Sequence, residues 1–171
     1  MVMQPNRTQG RSDLLAFDSS GTTLYGLNTI DSEFGLRRIQ VLADGLAEQS
    51  VVTGVGGYVT RSLGFTNNRV IAGRALYDAP MLTGAGAITG ASDCWPQGSV
   101  NLLLCFGDVF GEGRILVANS GTLAVGASTL YASSDHNFPP YLVQGPAGQV
   151  AISYPALSNS AIRLFSSPEL P

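Results

Sequence analysis

The only histidine of the chain, His136, lies between Asp135 and Asn137 in a loop-like segment. A carboxylate beside an imidazole can orient the ring for proton transfer, which is the chemistry of a general acid or base. The sequence has no Gly-x-Ser-x-Gly nucleophile motif and no second ligand at a metal-binding spacing from His136. A solvent-exposed loop histidine is therefore the favoured interpretation, and an acid–base role for Asp135 and His136 is the alternative. No metal and no cofactor are expected.

Trp95, the only tryptophan, follows Cys94 and precedes Pro96. Its ring could form a stacking platform for a sugar or a peptide, or it could plug the bottom of a sheet, which is the favoured interpretation. With Asp93 beside it, this segment joins Asp135 and His136 as the candidate ligand-binding residues. If Asp93, Asp135, His136 and an arginine met in one pocket with perturbed ionisation, they would indicate an enzyme.

Cys94 and Cys105 are the only cysteines, and they lie 11 positions apart. This separation excludes a zinc knuckle and a Cys-x-x-Cys redox motif. A hairpin over this segment would bring the two thiols together, so a disulfide is expected. The alternative is a pair of free buried thiols, because Cys105 lies in a strongly apolar run.

The remaining chemistry is sparse. All nine cationic residues are arginines, which excludes catalytic lysines, and the net charge of -3 gives no basic footprint for nucleic acid. Gly84, Gly86 and Gly90 have the wrong spacing for a phosphate-binding loop, and we interpret them as bends in a β-rich chain. The carboxylates are scattered and mostly at turns, which Asp favours. Turn formation is the simplest account of them.

Length and composition predict one globular domain. A chain of 171 residues with 44% hydrophobic residues is long enough to bury a sizeable core. Residues 1–12 are polar and predict a flexible tail, with the domain covering 13–171. No apolar run is long enough to span a bilayer, so membrane insertion is not expected.

The segments that must position these residues repeat one pattern: an apolar run, a polar turn and a second apolar run. It occurs at Leu14–Asn28, Leu63–Gly73, Asp108–Asn119 and Tyr141–Ser153. The last residues before the turns are spaced 48, 45 and 33 residues apart: Phe17, Phe65, Phe110 and Val143. Short strands at a period of about 40 residues predict an all-β protein of propeller-type, four-stranded units.

Several segments resemble bacterial β-propellers of the YVTN/WD-like type: LLAFDSSGTTLYGLNT, GRALYD, GRILVANSGTLAVG and SNSAIRLFSS. The resemblance implies blades at roughly 13–53, 54–98, 99–134 and 135–171. Members of this family usually form seven-bladed rings about twice as long, and they are usually secreted or surface-exposed. Three to four blades per chain would leave two apolar sheet faces uncovered. We therefore expect a half-propeller that a homodimer closes into a ring; a sandwich or small barrel closed within one chain is the alternative.

The resemblance implies a non-catalytic binding or scaffold module that presents loops at one end of the ring to a protein, peptide or glycan. The alternative function is a propeller-type hydrolase or lyase with its site at the central channel. A third alternative is a piece of a longer propeller without independent activity. The N-terminal residues show no signal peptide, whereas the resemblance favours an extracellular or periplasmic location.

Overall fold

The computed structural model describes residues 11–97, 101–109, 112–133, 141–144, 149–154 and 161–166. These residues form strands and turns, and no helix occurs among them. The strands pair into antiparallel sheets, three with four strands and one with three. The expectation of an all-β protein built from four-stranded units is confirmed.

Sheet 1 is a simple meander in which each strand pairs with the next one along the chain. The polar turn after Phe17 and the short turn at Asp44 reverse the chain at hairpins, where local hydrogen bonding and glycine are favoured. Its strands are β1 (Leu14–Phe17), β2 (Thr23–Leu27), β3 (Leu36–Leu42) and β4 (Gly45–Val52).

Sheet 2 repeats the same meander order. Its first two strands are joined by Asn67 and Asn68, and its last strand consists of small residues, as the sequence TGAGA shows. The strands are β5 (Leu63–Thr66), β6 (Arg69–Ala72), β7 (Ala75–Asp78) and β8 (Thr83–Ala87).

Sheet 3 contains the longest strands, and its first strand includes Trp95 and Pro96. Pro96 is tolerated because β9 is an edge strand of the sheet order, where one side of the backbone needs no ladder hydrogen bond. The strands are β9 (Asp93–Gln97), β10 (Leu102–Val109), β11 (Glu112–Asn119) and β12 (Val125–Ser133).

Sheet 4 has three described strands in meander order. They are β13 (Tyr141–Gln144), β14 (Gln149–Tyr154) and β15 (Ala161–Ser166).

The sheets pack face to face through two apolar clusters. Cluster A lies between sheets 1 and 2 and contains Tyr25, Leu27, Leu36, Val70 and Ala72 with Val55, Ala79 and Leu82. Cluster B lies between sheets 2 and 3 and contains Ile71, Leu76, Leu103, Cys105 and Leu116 with Ile88, Ala91, Cys94 and Ala118. Sheet 2 is therefore covered on both faces, which explains why β6 is apolar at successive positions.

The first strands of adjacent sheets contact each other, β1 with β5 and β5 with β9. The sheets therefore approach most closely at their first strands, which is the radial arrangement of propeller blades. Gly64 permits this approach in β5, because a Cβ atom there would lie 2.6 Å from Cδ of Pro96 in β9.

One unit boundary differs from the expectation. The expected second repeat, 54–98, includes residues 93–97, but β9 pairs with β10 and is the first strand of sheet 3. The physical reason is the pairing of Cys94 with Cys105, which fixes β9 against the third sheet.

Candidate functional site

A surface pocket of ≈ 410 Å³ lies where the first hairpin turns of sheets 1 and 2 meet. One wall comes from the β1–β2 turn and the other from the β5–β6 turn, and both turns follow the innermost strand of their sheet. We call this the turn pocket. Its lining residues are Phe17, Asp18, Ser19, Phe65, Thr66, Asn67 and Asn68.

The β1–β2 turn is held together by Asp18. Its Oδ1 accepts hydrogen bonds from the backbone N–H groups of Thr22 and Thr23, each at 3.1 Å, and the hydroxyl of Ser20 donates to the same carboxylate. The backbone of Asp18 also donates to Thr23 O, and Gly21 takes a positive φ of 71° that suits glycine. The carboxylate therefore organises the turn, and the turn holds Phe17 and Ser19 at the pocket.

Ionisation of Asp18 is favoured. Its slight burial opposes the charge, but hydrogen bonds from Thr23, Ser20 and Thr22 outweigh this effect and lower the pKa of the carboxyl below its usual value. Asp18 is an anion at neutral pH, and its acceptor positions serve its own turn.

The β5–β6 turn consists of Asn67 and Asn68, with φ angles of 48° and 59°. Positive φ at both central residues is the geometry of a type I′ hairpin, and asparagine tolerates it better than other side-chain-bearing residues. Nδ2 of Asn67 donates to Oγ of Ser120 at 3.3 Å, which ties this turn to sheet 3. Asn68 is exposed at the pocket.

The apolar part of the pocket comes from two phenylalanines. The Phe65 ring stacks on the Tyr25 ring, with centroids 5.7 Å apart and an interplanar angle of 10°, so its position is fixed by cluster A. Phe17 is 57% exposed. These two residues are also the ones that mark the repeat in the sequence, but their periodicity indicated strand ends and gave no sign of a shared pocket.

Asp93 lies at the junction of sheets 2 and 3 and is 1% exposed. Its Oδ1 accepts hydrogen bonds from the N–H groups of Arg61 and Ser62, at 2.8 and 3.0 Å, and from the Ser62 hydroxyl at 3.0 Å. Burial raises the pKa of Asp93, and these hydrogen bonds only partly oppose the shift. In this position the carboxylate ties β9 to the segment that leads into β5.

Trp95 is half-buried in β9 and lies edge-on to Phe106 of β10, with ring centroids 5.6 Å apart. An edge-to-face pair of this kind is a packing contact between neighbouring strands. The structure brings neither Asp93 nor Trp95 to the turn pocket. The other two candidates, Asp135 and His136, lie outside the described residues, so their convergence with Asp93 stays a prediction.

Cys94 and Cys105 form a disulfide with an S–S distance of 2.07 Å, and both residues are fully buried. They are direct cross-strand partners in β9 and β10. The N–H of Cys94 donates to Gly73 O of sheet 2 at 3.0 Å, so this pair of positions is free of the usual ladder hydrogen bonds, and the side chains approach closely.

Among the described residues, no group of three or more His, Cys, Asp or Glu side chains is arranged to hold a metal ion. Within that same part of the chain, no helix has the length and apolar character needed to cross a membrane.

No model of a known protein family matches the chain, and no curated protein sequence matches it either. The fold is similar to that of a solved structure, the hydrazine synthase of Kuenenia stuttgartiensis, with a TM-score of 0.63 and 12% sequence identity. The match covers 85% of this chain and 44% of the hydrazine synthase chain. That protein contains a β-propeller, so the similarity supports a propeller-like fold. At this identity it shows the fold alone.

Proposed function

We propose that this protein is a non-catalytic binding module that uses turns at one end of a propeller-like arc, and that it is related to the YVTN/WD-like propellers that its segments resemble. The observation that carries the proposal is the turn pocket. Two hairpin turns from neighbouring sheets form it, and each turn is held by hydrogen bonds within the protein. A preformed concave site of this size is typical of ligand recognition.

The chemistry of the lining supports binding in preference to catalysis. The pocket contains aromatic rings, amides, hydroxyls and one carboxylate whose oxygens accept hydrogen bonds within its own turn. It contains no histidine, cysteine or lysine. A hydrolase or lyase site remains the alternative function, and it depends on Asp135 and His136.

We further propose that a second copy of the chain closes the arc into a ring. On the face of sheet 1 directed away from sheet 2, Leu15 is 60% exposed and Val51 is 41% exposed. The opposite face of the same strands packs into cluster A through Leu14 and Val52. The chain spans about 44% of the propeller-containing chain that it resembles, so two copies would supply a comparable length.

Sedimentation velocity tests this arrangement. We expect a dimer for the native chain and a monomer for Leu15→Asp, since a buried carboxylate would oppose the contact. Met81→Asp is the matched control, because Met81 is 76% exposed in the β7–β8 turn of sheet 2. A native chain that is monomeric and soluble at high concentration would contradict ring closure by a second copy.

The buried disulfide supports an extracellular or periplasmic location, because disulfides persist in oxidising compartments. Mass measurement of the protein from its native source, alkylated without reductant, checks this. We expect both cysteines to be unmodified by the alkylating reagent.

The binding function itself is tested by ¹H–¹⁵N NMR titration with a mixed set of small ligands. We expect at least one ligand to shift the amides of Ser19, Asn67 and Asn68, and Phe17→Ala to weaken that ligand. Met81→Ala should bind as the native protein does. If no ligand of any chemical class perturbs these amides, the proposed function is wrong.

A further inference from the structure

We propose that the turn pocket takes an uncharged sugar, with the apolar face of a pyranose ring against phenylalanine and its hydroxyls on asparagine, serine and threonine side chains. This inference rests on the proposed binding function and names its ligand class.

The apolar half of the pocket is suited to a flat ligand with a C–H face. Phe65 is held in one orientation by its stacking on Tyr25, so it presents a preformed surface. Phe17, at the other side, is 57% exposed and has apolar area to cover. Aromatic rings contribute large contact areas at little conformational cost, because their orientations are few.

The polar half of the pocket offers side-chain groups, and several main-chain groups of the two turns are already hydrogen-bonded. The N–H groups of Thr22 and Thr23 donate to Asp18 Oδ1, and the carbonyl of Asn68 accepts from Ala79 N at 3.0 Å. Besides Asp18, the polar residues that line the pocket are Ser19, Thr66, Asn67 and Asn68, and Thr66 is 6% exposed. Amides and hydroxyls both donate and accept, which matches a ligand whose rim consists of hydroxyl groups.

Charge distinguishes a neutral sugar from an anionic one. Asp18 is ionised, and its lowered pKa keeps it so at neutral pH. No lysine or arginine lines the pocket, and the nearby Arg69 donates to the Ser120 and Gly121 carbonyls. Arg69 also lies 3.5 Å from a carboxylate oxygen of Asp78. A uronic acid or a phosphorylated sugar would meet an uncompensated carboxylate, so an uncharged sugar is favoured.

The turn pocket is less suited to a peptide than to a sugar. An extended peptide gains most of its affinity from main-chain hydrogen bonds to an unpaired strand edge. Four of the seven lining residues lie in turns, and only the last residues of the edge strands β1 and β5 reach the pocket, so it offers no continuous strand edge.

The test is NMR titration of the full chain with three probe sets: the neutral disaccharides cellobiose, maltose and lactose; glucuronic acid; and terminally blocked tripeptides. We expect at least one disaccharide to shift the Ser19, Asn67 and Asn68 amides in a saturable way, and glucuronic acid and the tripeptides to leave them unchanged.

Two variants localise the effect. Asn68→Gly keeps a residue that accepts a φ of 59° and removes only the amide, so we expect about fivefold weaker binding with an unchanged fold. Phe17→Ala should weaken binding about tenfold. Met81→Ala is the control, and the dispersion of each spectrum reports folding.

The outcomes separate the two proposals. If tripeptides or glucuronic acid shift these amides and the disaccharides do not, the sugar inference is overturned while the binding function stands. If none of the probes binds and the broader ligand set also fails, both are wrong. Disaccharide binding that is insensitive to Phe17→Ala and Asn68→Gly also overturns the inference.

Discussion

The two junctions between sheets differ in how they are held. The junction of sheets 2 and 3 combines cluster B with buried polar contacts: Asp93 on Ser62, Cys94 on Gly73, and Arg69 on Ser120. The junction of sheets 1 and 2 rests on cluster A, and its one described side-chain hydrogen bond between sheets runs from the Tyr25 hydroxyl to Ala79 O at 3.4 Å.

This difference matters because apolar contacts are non-directional, whereas hydrogen bonds fix one geometry. Hydrogen bonds therefore fix how sheet 3 is oriented on sheet 2. The orientation of sheet 1 on sheet 2 depends mainly on how their apolar side chains fit together. The turn pocket opens at the 1–2 junction, between two turns that are each held by their own hydrogen bonds. The hydrogen bonds between sheets 2 and 3 hold sheet 2 in place, and they thereby position its β5–β6 turn at the pocket.

The largest effect is expected from Asp93→Ala. It would remove, at a buried site, the acceptor shared by the Arg61 and Ser62 N–H groups and the Ser62 hydroxyl, which we expect to lower the free energy of unfolding by about 3–5 kcal/mol. Urea denaturation followed by circular dichroism measures this. Asp93→Asn is the control, because an amide oxygen can replace Oδ1; equal losses in both variants would contradict the role of these hydrogen bonds.

The second effect is the loss of the Cys94–Cys105 bridge. Replacing both residues with alanine should lower the free energy of unfolding by about 3 kcal/mol, because the bridge restricts the unfolded chain and its sulfur atoms fill cluster B. The native protein unfolded with reductant should approach the variant. A variant as stable as the oxidised native protein would show that the β9–β10 pair does not need its covalent link.

The third effect is pH dependence at the polar junction. Burial raises the folded-state pKa of Asp93 above its usual 3.8, so the folded state binds the proton more tightly than the unfolded state. Its contribution to stability is fully present below the unfolded pKa and is lost as pH rises through the folded pKa. We expect native stability to fall relative to Asp93→Asn across that window. Parallel pH profiles would contradict the raised pKa.

The smallest effect is expected at the apolar junction. Tyr25→Phe removes the 3.4 Å hydrogen bond to Ala79 O and the interaction of the hydroxyl with Arg38, and it keeps the ring that stacks on Phe65, so we expect a loss of about 0.5–1 kcal/mol. Thermal unfolding checks this. A loss as large as that of Asp93→Ala would mean that the two junctions are held alike.

Much of the fold could be predicted from the sequence because hairpin signals are local. The strands β5 and β6 lie within the repeated pattern predicted at Leu63–Gly73, since Asn67-Asn68 reverses the chain between them. The strand β8 could not be predicted, because after Thr83 its sequence consists only of glycine and alanine. The strand β9 escaped because Pro96 and the short run DCWPQ do not resemble a strand.

The candidate site was harder to predict. The turn pocket unites Phe17 and Asn68, which are 51 positions apart, and only the packing of one sheet on the next brings them together. The sequence suggests Asp93 as a ligand-binding residue because carboxylates often bind ligands. In the fold, its carboxylate accepts hydrogen bonds from main-chain N–H groups of the same protein. Nothing in the local sequence distinguishes these two uses.

The bridge between Cys94 and Cys105 has a consequence for the order of assembly. Because its two cysteines are close in the sequence and lie on one hairpin, it can close before any other sheet has docked. The third sheet would then form first as a β9–β10 loop closed by the disulfide, and β11 and β12 would pair with it afterwards. Quenching refolding samples with alkylating reagent should trap the closed bridge ahead of the burial of Tyr25.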